Sequence, residues 1–173
     1  MNVLYRFFRK IDRIFKIREV SAHCDIPCGI YDPHLAQVAA HTVIRMTNLI
    51  LEMTSPGENP TFEQRKEIMH KINRLTAVKE EHAELVKKEI RILWGDYFKP
   101  EHVQQFPELH DLVWKTMRLA SKARQEINPQ TNQQLLESVQ KIAEIFWKTK
   151  GLEAVKAKAP YPSGGEIVVP KLS

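Results

Sequence analysis

Residues 128–150 read NPQTNQQLLESVQKIAEIFWKTK and give the clearest helix signal in the chain. Asn128 followed by Pro129 is a favoured helix start, because Asn caps unpaired amide groups and Pro has no amide hydrogen to leave unpaired. Apolar residues then recur at helical spacing on one face, namely Leu135, Leu136, Val139, Ile142, Ala143 and Phe146. Such a face has to be buried, so the stretch predicts a helical domain with a packed core.

The same apolar period recurs in three other stretches of the chain. Together they predict helices over residues 33–54, over residues 61–93, over a segment that opens at Pro107, and over residues 128–150. Thr61 with Gln64 has the spacing of a capping box, and residues 96–106 are expected to be irregular. Short connections favour antiparallel neighbours, so the predicted fold class is all-α, an up-down antiparallel four-helix bundle over residues 33–150.

The basic residues are concentrated at the N-terminus. Residues 1–22 carry six Lys or Arg and two Asp or Glu, a net charge of +4 out of +5 for the whole chain of 173 residues. The nearly neutral remainder argues against a nucleic-acid partner. No apolar run is long enough to span a bilayer, so we expect no stable membrane insertion and a cytoplasmic location.

Residues 1–22 also have an amphipathic pattern. The apolar side chains at helical spacing are Leu4, Phe7, Phe8, Ile11, Ile14 and Phe15, with basic residues on the other face. The segment ends in Val20-Ser21-Ala22, small residues of the kind that precede cleavage sites. It is interpreted either as a leader that is removed or as a retained helix at a membrane surface. At the other end, Pro and Gly in residues 151–173 predict an extended or partly disordered tail, in which residues 166–169 could add a short strand.

Both cysteines lie in one short stretch, HCDIPCGIYDP at residues 23–33. A Cys24–Cys28 disulfide would close a very small loop and stabilise little. The spacing is not the Cys-x2-Cys of thioredoxins, and a four-ligand zinc site would need further Cys or His residues at suitable spacing. Thiolates are soft ligands that suit zinc, copper, iron or nickel. The spacing alone leaves a metal site, a redox dithiol and two unremarkable thiols open.

The full string is more specific than its spacing. HCDIPCGIYDP resembles the nickel hook of the nickel-containing superoxide dismutases. Two further stretches of the chain resemble the same family in the same order, LWGDYFKP at residues 93–100, followed by FPELH at 106–110, and IFWKTK at 145–150. The resemblance covers about residues 23–150 and independently implies the four-helix bundle.

The resemblance implies a metal site and a reaction. A maturation peptidase would remove residues 1–22, so that His23 becomes the N-terminus of a hook at residues 23–32. One nickel ion per subunit would then be bound by the amine and imidazole of His23, the amide nitrogen and thiolate of Cys24, and the thiolate of Cys28. Alternation between Ni(II) and Ni(III) would convert superoxide to oxygen and hydrogen peroxide. The resemblance also implies a homohexamer.

Further residues match positions around that site. Tyr31 and Tyr97 match two tyrosines beside the metal, where they would order water and screen small anions. Asp25 and Pro27 would stabilise the hook, and Lys99 would attract superoxide.

One part of the pattern is missing. The familiar members hold the axial histidine with a Glu and an Arg, and Ala39 and His82 stand at those positions here. His82 could hydrogen-bond to His23, or it could be an ordinary core-facing histidine. The alternative function is therefore a non-enzymatic metal-binding or redox-sensing bundle, and a third reading is a membrane-surface protein that retains its leader.

Overall fold

A computed structural model describes residues 28–171 of the chain. Its helices are α1 (His34–Leu51), α2 (Phe62–Ile92), α3 (Pro100–Gln105), α4 (Leu109–Gln125) and α5 (Pro129–Thr149). A π-helical turn, Leu93–Tyr97, extends α2. Two strands follow α5, β1 (Ala154–Lys158) and β2 (Glu166–Pro170).

The ends of the helices follow from local capping chemistry. Thr61 forms the expected capping box with Gln64, and the Asn128 side chain accepts hydrogen bonds from the amides of Gln130 (3.0 Å) and Thr131 (3.2 Å). Asp32 accepts from the His34 amide at 2.6 Å, so α1 begins one residue later than Asp32-Pro33 predicts. At Thr61 and Asn128, the capping side chain accepts a hydrogen bond from an amide that has no carbonyl partner within the helix.

Three predicted boundaries need correction. The first helix ends at Leu51 and not at residue 54. The segment at 96–106 is not irregular, because Pro100 occupies the first turn of the short helix α3. The helix predicted from Pro107 begins at Leu109. The Leu109 amide bonds to the Phe106 carbonyl at 3.0 Å, so residues 106–109 form a turn before the helix starts.

The four long helices form the predicted bundle. Contacts join α1 to α2, α2 to α4, α4 to α5, and α5 to α1, which closes a ring of four helices around one core. Small residues of α1 pack at the centre, with Ala36, Ala39 and Ala40 fully buried, against larger side chains such as Ile90 and Phe146. The all-α bundle predicted from the apolar periods is thus confirmed.

Lys79 of α2 is the largest fully buried side chain among the described residues. Its ammonium group donates to the carbonyls of Ala123 (2.7 Å), Arg124 (3.1 Å) and Glu126 (2.8 Å), which lie at the C-terminal end of α4. Burial lowers the pKa of Lys79, partly offset by the charges of Glu80 and Glu126. The charge is retained inside because it satisfies carbonyls that the helix leaves without partners.

The tail is more ordered than predicted. The short strand expected at residues 166–169 corresponds to β2, which pairs antiparallel with β1, Lys156 opposite Val168, so the segment forms a hairpin and is not partly disordered. Ile167 and Val168 point to opposite faces of the hairpin, yet their exposed fractions are only 9% and 1%. A hairpin lying flat on the bundle would leave one of them exposed. Strand β2 therefore enters the groove between α1 and α5 edge first.

No described helix is both long and apolar enough to cross a membrane. The predicted leader and the first five residues of the hook, 23–27, lie outside the described residues.

Candidate metal centre

The described part of the hook begins at Cys28, whose side chain is exposed. Gly29 follows with φ of +71°, a left-handed conformation that side chains other than hydrogen disfavour. The chain thus turns sharply between the thiol and Tyr31. His23, Cys24, Asp25 and Pro27 lie outside the described residues, so their predicted roles stay predictions.

Tyr31 and Tyr97 are far apart in the sequence and in contact in the structure. Their ring centroids are 5.5 Å apart at an interplanar angle of 51°. Tyr97 ends the π-helical turn, which the Phe98 amide closes by bonding to the Leu93 carbonyl at 2.9 Å. The wider turn rotates the side chains that follow it relative to a continuing α-helix, and π-turns are frequent at functional sites. Both tyrosines are partly buried, and Tyr31 lies three residues after Cys28 in the chain.

The ring of Tyr97 is held from several sides. Its centroid lies 4.6 Å from that of Phe146, 5.2 Å from that of Phe98 and 5.6 Å from that of His102, the last in a stacked arrangement. Together these contacts leave the ring little freedom to rotate away from Tyr31.

The Tyr97 hydroxyl has a defined hydrogen-bond direction. Thr149 Oγ1 donates its single proton to the Phe146 carbonyl at 2.7 Å. The 2.7 Å contact between the Tyr97 hydroxyl and Thr149 Oγ1 must therefore be donated by Tyr97. The lone pairs of the phenol oxygen remain able to accept a hydrogen bond from water.

Two lysines supply positive charge near Tyr97. Lys150 Nζ lies 4.9 Å from the centroid of the Tyr97 ring and 5.6 Å from that of Phe146, within cation–π distance. Lys99, the predicted source of positive potential, is exposed two residues beyond Tyr97, at the start of α3.

Ala39 and His82 occupy different environments. Ala39 is fully buried in the core of the bundle. The His82 ring is partly buried and its Nδ1 lies 2.9 Å from the Val78 carbonyl of its own helix. A carbonyl only accepts, so Nδ1 carries a proton, and in the neutral ring Nε2 is then the acceptor. A supporting role for His82 remains a prediction.

Among the described residues, the hook alone offers a thiol ligand, which suits a soft transition metal. Within residues 28–171, no three His, Cys, Asp or Glu side chains come together as a metal-binding group. The one predicted ligand that the structure describes is the thiol of Cys28. A thiolate suits nickel, copper or zinc better than magnesium or calcium, so the residue present fits the predicted metal.

The residues around Tyr97 were only partly predicted. Phe146, Thr149 and Lys150 belong to the stretch IFWKTK. The apolar period predicts that Phe146 is in the core, and the resemblance assigns no role to Thr149 or Lys150. Their position at the end of α5 was predictable, but their contact with the turn at Tyr97 depends on how α5 packs.

Comparisons with known proteins bear on this geometry. The sequence profile of the family described as nickel-containing superoxide dismutase matches residues 18–150. The chain belongs to this family. It is 40% identical over 131 residues to the Ni superoxide dismutase of Streptomyces coelicolor, covering 76% of this chain and 90% of that protein. It is 38% identical over 141 residues to that of Streptomyces seoulensis, covering 81% of this chain and 98% of the relative.

Solved structures of nickel superoxide dismutases share the fold. The native enzyme aligns with a TM-score of 0.63 at 38% identity, covering 74% of this chain and 99% of its own. A form with the nickel ligation of the oxidised state aligns with a TM-score of 0.65 at 36% identity, covering 75% and 99%. The family match ends at residue 150, so the docked hairpin lies beyond it.

Proposed function

We infer that this chain is a nickel-dependent superoxide dismutase, which converts two superoxide ions and two protons to oxygen and hydrogen peroxide. The observation that carries the proposal is the contact between Tyr31 and Tyr97, whose ring centroids are 5.5 Å apart, with the exposed Cys28 three residues before Tyr31 in the chain. Membership of the nickel family supports the metal and the reaction. Nickel, when bound, supplies the one-electron redox couple that superoxide requires.

The proposed ligands are residues of the hook. After cleavage before His23, its new amine and its imidazole, the amide nitrogen and thiolate of Cys24, and the thiolate of Cys28 would hold the nickel. Asp25 and Pro27 would hold the loop in shape. The soft sulfur donors support this set, because strongly donating thiolates bring a higher oxidation state within reach. His82 remains a candidate support for the His23 ring, through its Nε2.

The tyrosines are proposed to limit access and order water. Because the Tyr97 hydroxyl donates to Thr149, its oxygen is left to accept a hydrogen bond from a water molecule or from the peroxide product. Tyr31 narrows the same approach from the hook side. Lys99 and Lys150 would raise the local concentration of an anionic substrate.

Maturation, assembly and location are part of the proposal. A peptidase would remove residues 1–22, and the product would assemble as a homo-oligomer, with a hexamer as the expected form. Exposed apolar side chains support assembly, among them Ile30 (78%), Phe62 (69%) and Trp114 (68%). A cytoplasmic location is proposed from the thiols, which need a reducing compartment.

The test compares two chains, one that begins at His23 and one that keeps Ala22. Each is loaded with nickel under reducing conditions. We expect a thiolate-to-nickel absorption band and superoxide turnover only in the chain that begins at His23, because only there is the His23 nitrogen a free amine and not part of a peptide bond. A third sample that begins at His23 and carries Cys28→Ser controls for nickel bound elsewhere.

Equal nickel binding in both chains without turnover in either would refute the enzyme and favour the metal-binding or redox-sensing bundle. Binding of the intact chain to anionic vesicles, measured by flotation, would favour the membrane-surface reading.

A further inference from the structure

Strand β2 forms buried hydrogen bonds with both helices that border the proposed metal centre. On α1, Gln37 Nε2 donates to the Val168 carbonyl at 3.0 Å, and the Val168 amide donates to Gln37 Oε1 at 2.7 Å. The Gln37 amide group thus bonds to one residue of β2 in both directions, as a neighbouring strand would.

A second contact joins the two helices through one atom. The Glu166 carbonyl accepts from His41 Nε2 of α1 at 3.1 Å and from Gln140 Nε2 of α5 at 2.6 Å. Since Nε2 donates, the neutral His41 ring has an acceptor at Nδ1, which lies 2.9 Å from Ser163 Oγ. Helices α1 and α5 are therefore bridged by the strand at this carbonyl.

These polar groups are enclosed. The exposed fractions are 0% for Gln37, 2% for His41, 5% for Gln140 and 1% for Val168. A buried amide or carbonyl that loses its partner costs about 1–3 kcal/mol, so the strand cannot shift without breaking several bonds at once. The contact fixes the spacing of α1 and α5 more firmly than apolar packing alone.

Both helices lead directly to the tyrosine pair. Gln37 lies three residues into α1, about 4.5 Å along its axis, and α1 starts three residues after Tyr31. At the other end, Gly151 (φ +72°) ends α5, with its amide bonded to Lys148 and the Leu152 amide bonded to Trp147, both at 3.0 Å. That turn carries Thr149 and Lys150, which contact Tyr97, and it leads straight into the hairpin.

We propose that the C-terminal hairpin, residues 151–171, is a clamp that fixes Tyr31 against Tyr97, with Gln37, His41 and Gln140 as positioning residues. The role assigned to the tyrosines rests on the proposed function, but the clamp itself is a property of the metal-free chain. The hairpin lies outside residues 18–150, which match the family, so this device is an addition to the part of the chain that matches.

The test uses the full chain labelled with 3-fluorotyrosine and observed by ¹⁹F NMR. The chain has four tyrosines, Tyr5, Tyr31, Tyr97 and Tyr161, whose resonances are assigned by Tyr→Phe variants. Gln37→Leu removes both bonds to Val168 and keeps the side chain large. We expect the resonances of Tyr31 and Tyr97 to shift or broaden together.

The matched control breaks another buried bond between α1 and α5. Asn132 Nδ2 donates to Thr47 Oγ1 at 2.7 Å, ten residues further along α1 from Gln37. Thr47→Val removes one buried bond where Gln37→Leu removes two. It should lower the free energy of unfolding, by less than Gln37→Leu does, and leave Tyr31 and Tyr97 unchanged. A chain that ends at Leu152 keeps the turn after α5 and lacks the hairpin, and it should reproduce the effect of Gln37→Leu.

Two results would overturn the clamp. The first is that both the Gln37→Leu chain and the shortened chain keep the native circular dichroism spectrum and show wild-type resonances for Tyr31 and Tyr97. The second is that Thr47→Val shifts the Tyr31 and Tyr97 resonances as much as Gln37→Leu does. The hairpin would then stabilise the fold in general and have no specific effect on the tyrosine pair. Because the readout needs neither nickel nor turnover, an inactive wild type would refute the proposed function and leave this test intact.

In the nickel-loaded protein the same variants give a second readout. We expect Gln37→Leu to lower kcat/KM for superoxide by roughly 10-fold, the scale for lost support around a metal site. Unchanged kcat/KM together with unchanged tyrosine resonances would count against the clamp.

Discussion

The segment at residues 28–32 and the hairpin at residues 151–171 flank the same end of the bundle, and they are built in opposite ways. The first presents an exposed thiol, a left-handed glycine and a partly buried tyrosine. The second contributes strand β2 to the groove between α1 and α5 and pairs its backbone with buried Gln and His side chains. The first lies within the family match and the second lies beyond it.

The difference indicates that the segment at residues 28–32 serves the chemistry and the hairpin serves the positioning of other residues. The proposed ligand at Cys28 has to stay accessible to a metal, so its side chain is exposed and not enclosed by the bundle. A hairpin that satisfies every inward-facing group can fix its surroundings but has no donor left for a ligand. The comparison predicts that changes in the first segment alter activity and changes in the second alter stability and geometry.

The largest effect on activity is expected from Cys28→Ser. Loss of a direct ligand should lower superoxide turnover at least ~100-fold, because even a lost hydrogen bond to a ligand costs ~10–100-fold. The side chain is exposed, so Tm should stay within about 2 °C of wild type. Turnover by stopped flow and Tm by calorimetry would check this, and a Cys28→Ser protein that retains more than a tenth of wild-type activity would contradict the assignment.

The largest loss of stability is expected away from both segments, at Lys79→Met. The change removes a buried cation from three carbonyls and should lower the free energy of unfolding by about 3 kcal/mol. Urea unfolding measures it, with Lys99→Met as the exposed control, expected within about 0.5 kcal/mol of wild type. If both lysines proved equally dispensable, the buried contact would be worth no more than a surface charge.

Acid should weaken the hairpin before the bundle. Burial lowers the pKa of His41 below its ordinary value of 6.5, partly offset by its bond to Glu166. Below pH 6.5 the unfolded chain therefore binds more protons at this position, and stability is lost as pH falls through the folded pKa. Above pH 6.5 the contribution of His41 is fully present.

Hydrogen exchange of the β2 amides measured across this pH range would show the loss of protection. His41→Asn cannot titrate and should flatten the pH dependence of that protection. Equal pH dependence in both proteins would assign the effect to another histidine.

The smallest effect is expected from Lys99→Met on turnover. Removing one exposed charge near Tyr97 should lower kcat/KM for superoxide about 2- to 5-fold at low ionic strength. The difference should vanish at high salt, because exposed charges are then screened. A decrease that persists in high salt would mean that Lys99 acts by direct contact and not by attraction at a distance.

Much of the fold could be predicted from local patterns. The caps at Thr61 and Asn128 and the four apolar stripes gave the bundle, because capping and helical spacing act within one or two turns. The third long helix begins two residues later than Pro107 predicts, and the short helix α3 was not predicted. A proline is compatible both with a turn and with the first turn of a helix, so its presence does not decide between them. The strand at residues 166–169 could be predicted, but β1 and the docking of the hairpin could not, because Gln37, His41 and Gln140 look like surface residues until the tail covers them.

The sequence by itself determined the four long helices, the cluster of two thiols at residues 24 and 28, and the family. Those features reside in short strings whose chemistry is local. Only the tertiary structure decided that Tyr31 meets Tyr97, that Thr149 and Lys150 contact the same ring, and that the tail bridges α1 and α5. Contacts between residues distant in sequence depend on how helices pack, and the period of a single stretch does not encode which side chains of two helices face each other.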